Sequence, residues 1–223
     1  MIVVGVCALP AGGKSAVSAI LQRLGAVWIN ADEIAHQVLA TPAAIEQIVR
    51  RFGTTVLGPD GEIDRPQLGR LVFGDDAAGH MALRYLESIV HPLTRRMIRQ
   101  RIAVAIQDDS PAVVLDIPLL FESGWDVWCD EIWFVDTPRE IILEAALRRG
   151  WSEAAWQQRV DRQLNPDVKR RLSTRRLENH RSLDDLEASV RAWWRAAMTT
   201  AGQTPRAIGT SPSHCHSFPI DAP

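Results

Sequence analysis

Lysine is the scarcest charged residue in this sequence of 223 residues: it occurs only as Lys14 and Lys169, and the remaining basic side chains of Lys/Arg type are arginines. Acidic residues number 27 against 25 lysines and arginines, which gives a formal net charge of −2 at pH 7. Proteins that bind nucleic acids or anionic membranes usually carry an excess of basic charge. We therefore expect neither a nucleic acid nor a membrane as a partner.

Cysteines and long apolar runs are also few. Cys7, Cys129 and Cys215 are an odd number, lie far apart and form no CxxC pair, which argues against a disulfide framework or a zinc site. The apolar residues 1–13 lack a basic leader and are too short to cross a bilayer, and no other segment approaches transmembrane length. These absences predict a soluble, cytoplasmic protein.

Short apolar runs of strand type alternate with segments of helical periodicity. The strand-like runs are residues 2–6, 26–29, 112–115 and 131–135. Such alternation predicts an α/β domain with a doubly wound parallel sheet. The segment between about 33 and 107 is mainly helical and is interpreted as an insertion that covers the carboxyl edge of the sheet. Within it, His91-Pro92 is expected to end one helix and begin another.

The last residues differ in composition from the rest. Residues 1–200 are predicted to form one domain, whereas residues 201–223 carry four prolines among Gly, Ser and Thr and are expected to be a disordered tail. His214, Cys215 and His216 could bind a metal, but such residues in a tail are more often incidental.

The sequence ALPAGGKS at residues 8–15 stands between a predicted strand and a predicted helix, as a phosphate-binding P-loop requires. Glycines let backbone N–H groups face the phosphates, Lys14 would reach the β- and γ-phosphates, and the Ser15 hydroxyl would hold Mg²⁺. The pattern G-x-x-x-x-G-K-[ST] has glycine where this chain has Ala8. If that position needs a positive φ, alanine costs about 1 kcal/mol or more. The alternative is an ordinary turn with a surface lysine.

Two aspartates follow predicted strands at the edge where ligands bind in such sheets. Asp32 can accept the proton of an attacking hydroxyl, or it can cap the helix that begins at Glu33. Asp116 is either an outer partner of Mg²⁺ or a cap at a strand end. The residues alone leave both choices open.

A group of arginines brackets a predicted basic helix; it consists of Arg148, Arg149, Arg159 and Arg162. Arginines so arranged suit a lid that neutralises charge on a triphosphate. They can equally form a solvated helical face, and a nucleic-acid-binding stripe is a third reading that the net charge disfavours.

Several stretches, in this order, resemble the dephospho-CoA kinase family of P-loop small-molecule kinases over about residues 1–195. They are GKS (13–15), NADEIAH (30–36), GEIDRPQLGRLVF (61–73), LESIVHP (86–92) and DIPLLFESG (116–124), followed by Arg148, Arg159 and Gln163 at the spacing of the family's lid motif. The combination of IVHP with DIPLLFE is the most specific part of the resemblance.

The resemblance implies a P-loop kinase fold of about five strands, with a helical acceptor-binding insertion and a lid at about 148–171. It implies transfer of the γ-phosphate of ATP to the ribose 3′-hydroxyl of dephospho-CoA, giving coenzyme A and ADP, with Mg²⁺ as cofactor and a monomer as the expected state. Alternatives are another small-molecule kinase, or a non-enzyme that binds nucleotide or CoA.

The resemblance also implies roles for individual residues. Asp32 matches the catalytic base, and Lys14 and Arg148 act on the phosphates. Nucleotide contacts fall on Ala11, Gly12, Gly13, Lys14, Ser15, Ala16, Arg148 and Asn179, with Ser15 as the metal ligand. Acceptor contacts fall on Asp32, His36, Arg65, His91, Pro118, Leu119 and Phe121.

The chain departs from the family pattern on the ATP side. The loop reads Leu-Pro-Ala at residues 9–11, Asn30 replaces a carboxylate, Glu144 replaces an arginine, and Ser173-Thr174 replaces Ala-Asp. We therefore expect weakened ATP binding, and an acceptor side that keeps the family's features.

Overall fold

A five-stranded sheet forms the centre of the structure, a computed structural model that describes residues 1–74 and 76–201. Every pairing is parallel, and the strand order is β2-β3-β1-β4-β5. The strands are β1 (Ile2–Ala8), β2 (Val27–Asn30), β3 (Ala112–Asp116), β4 (Glu131–Asp136) and β5 (Arg175–Glu178). The predicted α/β class with a parallel sheet of about five strands is confirmed.

Helices connect consecutive strands on both faces of the sheet. One helix lies between β1 and β2, four lie between β2 and β3, and three lie between β4 and β5. They are α1 (Lys14–Arg23), α2 (Ala31–Leu39), α3 (Pro42–Phe52), α4 (Arg65–Val72), α5 (Ala77–Gln107), α6 (Arg139–Arg148), α7 (Glu153–Asp161), α8 (Pro166–Leu172) and α9 (Leu183–Ala201). In the described part of the chain, none is long and apolar enough to span a bilayer.

Alternate residues of β1 point into two separate cores. Val4 and Val6 pack with residues of α1 and α9 on one face, whereas Val3 and Cys7 pack with residues of α2 to α5 on the other. All seven residues of β1 are buried. A strand covered on both faces must be apolar throughout, which is why the sequence shows a continuous run and no alternation.

A single helix, α5, runs through the point where two helices were expected. Pro92 lies inside α5 and has no N–H to donate to the carbonyl four residues earlier. Ile89 before it and Ile98 after it belong to the same buried cluster, and this packing keeps the helix continuous across the missing hydrogen bond. The expected break at His91-Pro92 is therefore wrong.

The turn between β1 and α1 contains the left-handed backbone of the loop. Ala8 is the last residue of β1 and does not have a positive φ, so the backbone strain considered for Ala8 is absent. A positive φ occurs instead at Ala11, with φ 64°, and at Gly13, with φ 90°. Gly13 adopts this conformation without cost, but Ala11 carries a Cβ that left-handed backbone disfavours.

The edge strand β5 is joined to β4 by a partly buried ion pair. Arg175 donates two hydrogen bonds to Glu131, both 2.7 Å long, and Trp133 Nε1 donates another of 2.6 Å. Burial by itself would raise the pKa of Glu131, but the hydrogen bonds from Arg175 and Trp133 outweigh it and hold that pKa below its ordinary value. The same pair raises the pKa of Arg175.

We predict that Ala11→Gly and Ala8→Gly change stability in opposite directions. Ala11→Gly removes the strain of a left-handed alanine and should raise the free energy of unfolding by up to about 1 kcal/mol. Ala8→Gly removes a buried methyl group from a strand and should lower it by about 0.5–1 kcal/mol. Thermal unfolding of both variants beside the wild type tests this, and a loss of stability in Ala11→Gly would contradict it.

We also predict that Glu131→Gln lowers the free energy of unfolding by about 1–3 kcal/mol at pH 7, because it breaks charged hydrogen bonds. The folded-state pKa of Glu131 lies below the unfolded value, so its contribution is complete above the ordinary pKa of 4.5 and is lost as the pH falls through the folded-state value. The gap between wild type and variant should therefore narrow below pH 4.5. Urea unfolding at several pH values measures it, with the exposed Glu178→Gln as control; a gap independent of pH would contradict the prediction.

Candidate functional site

The N-terminus of α1 opens into the loop that follows β1. Gly12 N–H donates to the carbonyl of Leu9 over 2.9 Å, which closes the turn. The helix has no side-chain cap at Gly13, so N–H groups of its first turn are available to a ligand. A helix N-terminus with free N–H groups attracts anions such as phosphate.

A cavity of about 340 Å³ lies over this loop. It brings together residues that are distant in sequence: the loop and start of α1, the start of α2, the end of β3, and the segment after α6. The lining residues are 8–15, Asn30, Asp32, Asp116, Pro118, Arg149, Trp151 and Arg159. Of the residues predicted for the site, Ala11, Gly12, Gly13, Lys14, Ser15, Asp32 and Pro118 therefore meet in one place.

Lys14 and Asp116 form an ion pair at the floor of this cavity. Asp116 is 3% exposed, and its other oxygen accepts a hydrogen bond of 3.2 Å from Ser18 on α1. Asp116 thus holds the ammonium group beside the loop and does not cap a strand end. The exposed Ser15 is the next residue of α1.

Asp32 lies in the first turn of α2 and does not cap it. The cap is Asn30, whose side-chain oxygen accepts from the N–H groups of Asp32 and Glu33 over 3.0 and 3.3 Å. The alternative role of Asp32 as an N-cap is therefore wrong. Its carboxylate is exposed, lines the cavity and has no hydrogen bond or ion pair within the described residues.

The residues expected on the acceptor side spread beyond the cavity. His36 follows Asp32 by one turn of α2, and Arg65 Nη2 donates to the His36 carbonyl over 3.3 Å. Leu119 is 39% exposed in the loop after β3, and Phe121 packs partly against the core. His91 is exposed on α5 and does not line the cavity.

The lid arginines differ from the expectation. Arg148, in the last turn of α6, is paired with Glu144 at 3.6 Å, and both side chains are about 70% exposed. Arg148 does not line the cavity, whereas Arg149 and Arg159 do. Successive helical residues point about 100° apart, so a shift of one residue decides which arginine faces the loop.

Two tryptophans join the segment of α6 and α7 to the loop, and sequence reasoning missed both: Trp151 lies between these helices, and Trp156 lies in α7. Trp156 Nε1 donates to the carbonyl of Pro10 over 2.9 Å, and Leu9 and Ala11 pack against the cluster that contains Trp156 and Trp151. A tryptophan is usually part of a core, and no spacing links these two to the loop. The apolar loop residues 9–11, in contrast, could have indicated that the loop packs against other apolar side chains.

Asn179 supports the loop from behind. It donates from Nδ2 to Thr137 Oγ1 over 2.9 Å, and Thr137 in turn donates to the carbonyl of Gly12 over 2.7 Å. A Cβ on Gly13 would lie 2.6 Å from Asn179 Nδ2, so the contact also requires glycine there. The expected nucleotide residue Asn179 thus touches the loop, while it does not line the cavity; Ala16 lies outside the lining as well.

A buried lysine ties the lid segment to the loop after β3. Lys169 of α8 has no exposed surface, donates to Gln163 over 2.8 Å and pairs with Glu122 at 2.9 Å. The same Glu122 oxygen accepts from the N–H of Leu164 over 2.6 Å. The segment before α8 and the DIPLLFE stretch are therefore held together.

Cys7 lies in β1 beneath the loop but is not a nucleophile. Burial raises the pKa of its thiol to about 11, and only a thiolate is reactive. The described residues contain no group of three or more His, Cys, Asp or Glu side chains that could hold a metal ion. His214, Cys215 and His216 lie outside the described residues, as does nearly all of the expected tail.

Comparison with known proteins agrees with this geometry. The sequence model of the dephospho-CoA kinase family matches residues 2–185. A dephospho-CoA kinase of Symbiobacterium thermophilum is 42% identical over 217 residues, which cover 96% of this chain and 88% of the relative. One of Rhodopirellula baltica is 39% identical over 188 residues, covering 84% and 87%.

Two solved structures are similar to this chain over most of its length. The crystal structure of TT1252 from Thermus thermophilus is 33% identical with a TM-score of 0.71, covering 87% of this chain and 97% of that one. Dephospho-CoA kinase from Campylobacter jejuni is 28% identical with a TM-score of 0.68, covering 89% and 98%. Because the matched span contains β1 to β5 and every wall of the cavity, this chain belongs to the dephospho-CoA kinase family.

Proposed function

We propose that this protein transfers the γ-phosphate of ATP to the ribose 3′-hydroxyl of dephospho-CoA, giving coenzyme A and ADP. The observation that carries the proposal is the meeting of a phosphate loop and an unpaired carboxylate, Asp32, across one cavity. Family membership supports the reaction class. The loop on one side of the cavity is proposed to bind the nucleotide, and the side that carries Asp32 is proposed to bind the acceptor.

The triphosphate occupies the loop end of the cavity in this proposal. The N–H groups of residues 13–15 face its oxygens, and Lys14 exchanges part of its contact with Asp116 for the β- and γ-phosphates. Because Asp116 holds Lys14 in place beforehand, little side-chain entropy is lost when the nucleotide binds.

The oxygen groups near Lys14 fit a magnesium ion. Mg²⁺ favours one or two protein oxygens together with substrate phosphates and water, and the Ser15 hydroxyl and Asp116 carboxylate both line the cavity. Ser15 would contact the ion, and Asp116 would hold it directly or through water. The ion neutralises charge on the phosphates when it is bound.

Asp32 is the proposed general base. The 3′-oxygen bonds to the γ-phosphorus while the bond from that phosphorus to the β–γ bridging oxygen breaks, and the hydroxyl proton passes to the Asp32 carboxylate. ADP leaves with the bridging oxygen. An exposed carboxylate without a partner can approach the acceptor freely.

The acceptor lies on the α2 side of the cavity. Pro118 lines this wall, His36 lies one turn beyond Asp32 on α2, and Arg65 at the start of α4 donates to the His36 carbonyl. Dephospho-CoA carries a pyrophosphate, for which a histidine and an arginine are suitable neighbours. Leu119, Phe121 and His91 remain proposed contacts for the rest of this long substrate.

The direct test is a coupled assay for ADP with ATP, Mg²⁺ and dephospho-CoA. Wild type is expected to turn over, and Lys14→Ala should lower kcat/KM for ATP by at least about 100-fold, since one preorganised charge on the phosphates is worth that much. Identification of coenzyme A as product completes the assay. A folded wild-type protein that forms no ADP with this acceptor would overturn the proposal.

A second prediction concerns Asp32. Asp32→Asn should lower kcat by about 10²–10⁴, the usual contribution of a general base, while ATP binding measured by calorimetry stays within twofold. Glu33→Gln is the matched control, because Glu33 is the next residue of the same helix and is also exposed. Equal kcat in wild type and Asp32→Asn would show that Asp32 is not the general base.

A further inference from the structure

The two arginines that line the cavity differ from the arginines around them. Arg148 pairs with Glu144, Arg139 with Glu153, and Arg170 with Asp136. Arg149 and Arg159, in contrast, have no carboxylate within ion-pair distance in the described part of the chain; Arg159 donates only to a backbone carbonyl in its own helix. Their positive charge is therefore not neutralised by the protein.

Both arginines stack on the ring of Trp151 where the neighbouring arginines contact a carboxylate. The Arg159 guanidinium carbon lies 4.3 Å from the centre of the Trp151 ring, and that of Arg149 lies 5.8 Å away. The ring itself is half-buried and packs against the cluster of Ile142 and Trp156. Each stacked cation is stabilised by about 0.5–2 kcal/mol, depending on its desolvation.

An aromatic partner has a different consequence from an acidic one. A carboxylate would orient an arginine but cancel its charge, and an incoming phosphate would have to displace it. A tryptophan face restricts the arginine side chain while leaving its N–H groups and its full charge available. It also offsets the repulsion between two guanidinium groups at one cavity mouth.

We propose that Trp151 is a positioning residue for triphosphate binding: it holds Arg149 and Arg159 at the cavity over the phosphate loop. Trp151 does not itself touch the phosphates; it reduces the freedom that the two arginines lose when they bind them. Trp151 packs against the same cluster as Leu9 and Ala11. The positions of the two arginine charges therefore depend on the position of the loop. The inference rests on the proposed triphosphate site.

The experiment compares Trp151→Leu with Trp151→Phe. Leucine keeps apolar packing but has no π face, whereas phenylalanine keeps one. The ligands are ATP and inorganic tripolyphosphate, which lacks a base and a sugar, and calorimetry gives their Kd values. Trp151→Leu is expected to weaken both ligands about five- to tenfold, equivalent to the loss of one or two such stacks, with the KM for dephospho-CoA unchanged. Trp151→Phe should remain within about twofold to threefold of wild type.

A matched control is Trp193→Leu. Trp193 is also half-buried and also stacks on an arginine, Arg175 at 5.6 Å, but it lies on α9 outside the cavity lining. This variant should bind both ligands like wild type. Thermal unfolding of all variants verifies that each binding measurement is made on folded protein.

Three results would overturn the inference. Unchanged tripolyphosphate affinity in Trp151→Leu would show that the ring does not act through the arginines. Weakening of ATP alone would assign the ring to stacking on the base. Equal weakening in Trp151→Phe and Trp151→Leu would indicate a packing role. Because tripolyphosphate binding needs no acceptor, a failure of the dephospho-CoA assay leaves this test intact.

Discussion

The parallel register of three strands is the constraint on which the site depends. Val6 of β1 and Asn30 of β2 both pair with Asp116 of β3, so β2 and β3 end at the same level while β1 continues to Ala8 at the start of the loop. The phosphate loop, the cap of α2 and the partner of Lys14 consequently emerge side by side. Parallel pairing also requires long crossovers, and the one between β2 and β3 supplies α2, whose Asp32 lines the cavity.

The loop departs from the P-loop pattern at Ala8, and contacts from other parts of the chain support it. Trp156 holds its Pro10 carbonyl, and Thr137 holds its Gly12 carbonyl. Ala11 adopts a disfavoured left-handed conformation and packs against the cluster that contains Trp156. These contacts restrain a loop that has fewer glycines than the P-loop pattern, so the apolar loop residues and the helices α6 and α7 belong to one packing arrangement. Weakened ATP binding stays a prediction.

The sequence predicted what depends on local pattern. The strand, loop and helix around Lys14 follow from apolar runs and glycine spacing, and the α/β class follows from alternation. It failed at Pro92, where tertiary packing of both flanks keeps the helix continuous. It also failed at two local details that the pattern left open: Asn30 and not Asp32 caps α2, and Arg148 faces away from the cavity in the last turn of α6. Trp151 matches no motif, because its proposed role depends on the two arginines that the fold places over its ring.

The near absence of lysine has a chemical consequence at the surface. Lys169 is fully enclosed, so Lys14, with 18% of its side chain exposed, is the one ε-amine that a solute can reach in the whole chain. An acylating metabolite or a labelling reagent directed at lysine side chains therefore has a single target, and that target lies in the cavity. An acyl group on Lys14 would remove its positive charge and take up space in the cavity over the loop.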